Sequence, residues 1–184
     1  MLAVFETLGK GKTIRRFPSS IQKTMTYQLT VREAKSADVA AIALLIREFA
    51  EFEKLSQWCE VTEADLREAV FGKQSFVQAL VAMDVNRYVG YALFFPVFKS
   101  FRGERSIFLE DLYVTPDLRG NGLGFVMLRE VAKYAKKQGF VRLDWQALKW
   151  NEAAINFYKN LGAETDNENF DFRLRGAAFN KLTE

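Results

Sequence analysis

Residues 117–124 read DLRGNGLG, set between an apolar run, IFLEDLYV (107–114), and an amphipathic one, FVMLREVAKYAKK (125–137). Three glycines in five residues at a strand-to-helix junction give the backbone room to approach something closely. A helix N-terminus offers unpaired N–H groups and partial positive charge, so anions bind there. Glycines at 120, 122 and 124 remove the side chains that would hold an anion off, and Arg119 adds a forked cation. A dinucleotide fingerprint requires G-x-G-x-x-G after the first strand, and a P-loop requires a Lys-Ser or Lys-Thr. Neither spacing is present, so the loop is read as an anion cradle of another kind.

The surrounding pattern fixes the fold class. YQLTV (27–31) alternates as a strand, and residues 37–53 carry Val39, Ile42, Ala43, Ile46, Phe49 and Ala50 on one helical face. Thr62 and Asp65 open a second short helix that Gly72 closes. SFVQALVAM (75–83) and RYVGYALFFPVF (87–98) are joined by a short turn, which predicts antiparallel pairing, with a bulge or strand end near Pro96. The strand SIFLEDLYV (106–114) leads into the glycine loop. After the loop helix, which Gly139 ends, VRLDWQALKW (141–150) reads as a strand and NEAAINFYKNL (151–161) as a helix stopped by Gly162. FDFRL (170–174) reads as a last strand. The order predicts an α/β (α+β) domain over 25–184 with a mixed sheet covered by helices, not a doubly wound one.

Composition narrows the chemistry. The 184 residues include one cysteine and no histidine, which excludes Ser-His-Asp and Cys-His schemes and imidazole-bound zinc. Acid–base work falls to Glu, Asp, Tyr, Lys, Cys or water. Cys59 allows no internal disulfide and fits a reducing compartment. No apolar run reaches the roughly 18–20 residues of a membrane span, so a soluble chain without a membrane partner is expected. The net charge of +3 is concentrated in residues 1–24, which hold five basic residues against Glu6. The remainder is slightly acidic, against a nucleic-acid partner. The basic segment reads as a presequence for mitochondrial import or as a flexible extension ahead of Met25; cytoplasmic residence is the default.

RGNGLG, with LEDLYV before it and WNEAAINFYKNLGA after it, resembles the Gcn5-related N-acetyltransferase superfamily, and within it the diamine acetyltransferases of the spermidine/spermine and thialysine type. The resemblance runs from about Tyr27 to Leu174. It implies a mainly antiparallel sheet with a splayed central strand pair, helices on both faces, and acetyl-CoA as cofactor. By this likeness the pyrophosphate sits on the amides of Gly120, Asn121, Gly122, Leu123, Gly124 and Phe125, beside Arg119. The pantetheine arm lies along Leu112, Tyr113 and Val114, and Asn151, Glu152, Ala153 and Ala154 flank it. A homodimer is implied, as is a small cationic amine as substrate.

For transfer to an amine, the incoming ammonium must lose a proton and the departing thiolate benefits from gaining one. Glu110, a carboxylate on an otherwise apolar strand, is the candidate base; period-two alternation puts it on one face with Phe108 and Leu112, and Asp111 on the other. Tyr158 corresponds to the family's tyrosine beside the thioester sulfur, the candidate acid. Phe52 and Glu53 match positions lining the amine channel, with Asp144 and Trp145 as further contributors. Cys59 is read as a bystander. Phe52 stands where relatives often carry tyrosine, Ala153 replaces a frequent proline, and NFDFRL lacks a common tryptophan; these departures bear on the amine's chain length. A protein lysine or N-terminal acetyltransferase and a non-catalytic acyl-CoA-binding domain are the alternatives.

Overall fold

A computed structural model describes residues 28–166 and 172–182. The basic segment 1–24, Met25, and Phe170 and Asp171 of the anticipated last strand lie outside the described residues; Phe172 to Leu174 form no strand. The chain divides into two compact units that part between Gln146 and Ala147.

The first unit is a five-stranded sheet in the order β1-β2-β3-β4-β5, comprising β1 (Leu29–Glu33), β2 (Gln78–Asp84), β3 (Arg87–Lys99), β4 (Glu104–Val114) and β5 (Arg142–Trp145). The first four are antiparallel, β2 to β4 through short links and β1 with β2 across the α1–α2 connection, and β5 joins β4 in parallel after a helical crossover. The mixed, mainly antiparallel sheet is therefore as anticipated, though β5 stops at Trp145 where a longer strand was expected.

Helices cover both faces. α1 (Val39–Phe52) and α2 (Glu63–Phe71) bury Val39, Ile42, Ala43, Leu45 and Leu66 against Ala79, Val81, Tyr91, Leu93 and Tyr113. Thr62 caps α2 in a reciprocal capping box with Asp65. On the other face lies α3 (Leu123–Lys137), whose Leu123, Met127 and Val131 are fully buried. Each such side chain contributes roughly 1.5–3 kcal/mol. Tyr134 of α3 meets Phe94 edge-on at 5.1 Å. Gly90 of β3 is also close, since a Cβ there would fall 2.6 Å from the Tyr113 carbonyl and 3.0 Å from the Met127 sulfur. None of the described helices is long and apolar enough to cross a membrane.

The bulge lies not at Pro96, which pairs normally with Ile107, but opposite the junction of Leu93 and Phe94. Leu93 pairs with Asp111 and Phe94 with Leu109, so Glu110 is the extra residue. This overturns the alternation anticipated for β4. Leu112 pairs with Ala92 on the α3 side, whereas Phe108 pairs with Phe95 and shares the α1 side with Asp111 and Tyr113.

The second unit holds α4 (Glu152–Asn160) and α5 (Ala177–Asn180).

Candidate active site

The glycine loop has the open geometry an anion cradle needs. A turn at Pro116–Leu118 delivers the chain to Gly120 and Gly122, both left-handed with φ of 75° and 80°. These values suit glycine and strain any other residue. A Cβ at Gly120, Gly122 or Gly124 would meet no atom within 4 Å. Gly122 is the N-cap, no side chain caps the helix, and the first α-turn closes from the Val126 N–H to the Gly122 carbonyl. The preceding amides of Leu123, Gly124 and Phe125 thus precede the helical ladder. Leu123 anchors its side chain in the core, and Phe125 stays exposed. The space and donor chemistry fit a pyrophosphate.

Arg119 is deployed differently from a simple second phosphate ligand. Its Nε donates to the Val114 carbonyl at 2.9 Å, and its guanidinium stacks 4.0 Å over the Phe52 ring and 5.4 Å from that of Tyr113. It ties the loop to the end of β4 and the end of α1. Asn121 donates its amide to the Arg119 carbonyl at 3.3 Å.

The splay anticipated for the central strands is visible in the register. β5 pairs with β4 only from Ser106 to Leu109. Beyond the unpaired Glu110, from Asp111 through Leu112, Tyr113 and Val114, β4 keeps its β3 partner and has no strand on its other edge among the described residues. An amide-bearing chain could pair with that edge. Glu110 therefore sits at a double irregularity, where a bulge and the parting of two strands coincide.

Around it gather groups that periodicity did not bring together. Asp111, partly buried on the α1 side, accepts a hydrogen bond at 2.9 Å from the hydroxyl of fully buried Tyr91. Burial, and then the nearby negative charges of Glu110 and Glu53, push the Asp111 carboxyl up to about 6, against the opposing pull of the Tyr91 bond. Burial, then Asp111, raises the Tyr91 phenol. Burial also raises the Glu53 carboxyl. Glu53 is the C-cap of α1, and Lys54 beyond it turns left-handed at φ 61° while Leu55 bonds back to Ala50. None of Glu53, Glu110 and Asp111 has an ion pair among the described residues.

Asp111 and Tyr91 were missed because ideal alternation turns Asp111 away from the α1 side. Two adjacent carboxylates on one apolar strand were the available signal: with strict alternation one of them would enter the α3-side core.

Asp144 is committed elsewhere. Burial would raise it, but the Ser106 hydroxyl, Arg142 and Lys99 outweigh burial and hold it below its ordinary value. Its charge is thus met by two cations of the protein itself. Trp145 is half-buried at the end of β5. Phe52, half-buried, offers its face to Arg119. Cys59 is a free, half-buried thiol.

In the second unit, Asn151 caps α4, its Oδ1 accepting from the Ala154 N–H at 3.2 Å. Glu152 and Ala153 are exposed in the first turn. Tyr158 is half-buried one turn on, its ring 5.0 Å from that of Phe157.

Comparison with known proteins agrees with this architecture. Residues 41–163 match the family model described as the acetyltransferase (GNAT) family. The thialysine N-epsilon-acetyltransferase of Mus musculus is 37% identical over 163 residues, covering 83% of this chain and 95% of the relative. The enzyme of the same name from Bos taurus is 39% identical with the same coverage. Among solved structures, an integron cassette protein from the mobile metagenome of V. cholerae superimposes with a TM-score of 0.71 at 24% identity, covering 85% of this chain and 98% of that one, a likeness of fold. The chain therefore belongs to the GNAT acetyltransferase family, and is an N-acetyltransferase whose acetyl donor is acetyl-CoA.

Proposed function

We infer that the chain acetylates the primary amine of a small cationic substrate, a thialysine-like amino acid, diamine or polyamine, by direct attack in a ternary complex. The observation that carries this reading is the set of carboxylates at Glu53, Glu110 and Asp111 without a cation partner among the described residues, the latter two on a strand whose neighbouring edge no described strand covers. Such a charge deficit suits an ammonium. The relatives named for thialysine favour an amine on an amino-acid side chain.

When bound, acetyl-CoA supplies an acetyl group activated as a thioester. The glycine-loop amides from Gly120 to Phe125 hold its diphosphate, and the open edge at Leu112–Val114 aligns its amide-bearing arm. Glu110, directly or through a water, accepts the proton that turns the ammonium into a nucleophilic amine. The new N–C bond forms as the C–S bond breaks, Tyr158 donates the phenolic proton that the leaving sulfur takes up, and the proton shed by the acylated nitrogen restores the phenol through water; this role rests on the family resemblance of INFYKNLGA. No acetyl-enzyme is invoked: the chain contains no histidine to activate Cys59. Residues 25–184 act as one catalytic domain, paired as a homodimer as the resemblance implies, in a reducing compartment such as the cytoplasm.

The test is CoA release with acetyl-CoA and spermidine, spermine, putrescine, lysine, thialysine or short peptides, using wild type and Glu110→Gln. The expected outcome is turnover of one or more of the small amines, with kcat/KM reduced about 10²-fold or more in the variant. Turnover of peptides alone, or a variant as fast as wild type, overturns the reading.

A further inference from the structure

The Tyr91–Asp111 pair has no structural work that explains it. Among the described residues, Asp111 caps no helix and neutralises no cation, and its one hydrogen bond is to Tyr91. A carboxyl partly withdrawn from water, beside two others of like charge, costs stability. The bulge at Glu110 is what turns Asp111 toward α1, and bulges re-aim side chains next to functional sites. Tyr91 then fixes the carboxyl: it engages Oδ2 from a ring locked in the core, 6.1 Å from that of Tyr113.

We propose that Asp111, clamped by Tyr91, is a positioning residue for the amine, its charge drawing the incoming ammonium to Glu110. The inference rests on the amine-site reading above and adds to it the group that holds the cation, as distinct from the one that takes its proton. A base alone would bind the ammonium weakly once water competes. A second carboxylate with fixed orientation, on the neighbouring residue, holds the nitrogen through the loss of its proton. Tyr91 contributes geometry and some acidity: its hydrogen bond opposes burial and helps keep Asp111 ionised near neutral pH.

The titratable surroundings are Glu110 beside Asp111 on β4, Tyr91 on β3, and Glu53 at the end of α1. Cys59 lies within electrostatic reach of Tyr91. Farther along the same face, Glu48 accepts from the Tyr113 hydroxyl and Arg119 stacks on the Tyr113 ring. Amine affinity should accordingly fall as pH drops through about 6, where Asp111 takes up its proton.

The test is equilibrium binding of spermidine and thialysine by calorimetry, in the presence of CoA, between pH 5.5 and 8.5. It uses wild type, Asp111→Asn and Tyr91→Phe, with CoA release measured in parallel. Asp111→Asn should weaken amine binding by about tenfold or more, abolish its acid limb, and leave CoA affinity unchanged. Tyr91→Phe should keep the binding and move the limb to higher pH, since the bond it deletes favours the ionised carboxyl. If wild type binds amine and Asp111→Asn binds it as well with the same limb, this inference fails while the amine-site reading stands. If wild type binds neither amine, both fall together.

Discussion

Two aspartates of the first unit each accept a hydrogen bond from a tyrosine of β3, and they end in opposite electrostatic states. Asp38, buried at the entrance to α1, receives Tyr88 at 2.6 Å, the Arg32 guanidinium through both nitrogens at 2.6 and 2.9 Å, and the Lys35 N–H at 2.6 Å. The Arg32 contact above all holds its carboxyl well below the usual carboxylate range, with Tyr88 and Lys35 adding to the effect against burial. Asp111 receives Tyr91 and, among the described residues, nothing else, and is pushed up to about 6. One carboxylate is satisfied from every side and joins β1, α1 and β3. The other carries charge that no cation among the described residues balances. Saturated partners mark a structural role, and a deficit beside an open strand edge marks a site.

The largest effect that would break this contrast is on Asp38. Asp38→Asn leaves Arg32 without its buried partner and should lower the unfolding free energy by about 3–5 kcal/mol in urea titration. A loss below about 1 kcal/mol would mean that the network is ornamental. Asp111→Asn should go the other way, raising stability at pH 8 by about 1–2 kcal/mol because it removes a poorly solvated charge. Destabilisation of the same size as that at Asp38 would make the two aspartates alike.

The signs also separate with pH. The depressed Asp38 contributes stability that is present above the unfolded value of about 3.8 and is lost as pH falls through its lower folded value. The raised Asp111 does the reverse. The folded state takes up its proton first, so its cost of roughly 3 kcal/mol is relieved between about pH 6 and the unfolded value. Unfolding of wild type and Asp111→Asn across pH 4–8 should therefore converge toward acid. Curves that stay parallel would remove the strain assigned to Asp111.

Much of this was legible from residues alone, for reasons that differ by element. The glycine loop announced itself because backbone freedom at a strand-to-helix junction has few uses, and its open, left-handed geometry matches. The capping box at Thr62 and Asp65 was readable because capping is local. β5 was overrun because WQALKW alternates like a strand, yet no strand among the described residues pairs with it beyond Trp145. Pro96 misled in the same way. A strand proline suggests a bulge, but the extra residue lies at Glu110, where only the partner strand reveals the slip. The stack of Arg119 on Phe52 had no sequence signal, since it joins residues far apart in the chain. Asp144 gave no sign of Lys99 and Ser106, which reach it from β3 and β4. Local signals survive folding, and cross-strand partnerships have to be seen.

The smallest expected effect concerns the turns beside the two carboxylates. Val85, in the hairpin that leads into β3 and Tyr88, and Lys54, directly after Glu53, are the non-glycine residues with positive φ among those described, at 54° and 61°. Both pay a left-handed penalty that glycine avoids, and the β-branched valine pays more. Against this, glycine adds entropy to the unfolded chain, so the net gain is reduced to about 0.5–1 kcal/mol. Val85→Gly should stabilise at least as much as Lys54→Gly in urea unfolding, without altering amine affinity. For Lys54→Gly the informative measurement is amine affinity. The turn it relaxes holds Glu53, so a looser turn should weaken spermidine binding about two- to threefold while the fold gains. Unchanged affinity would show that Glu53 stands outside the set that receives the amine, leaving Glu110 and Asp111 as the whole of it.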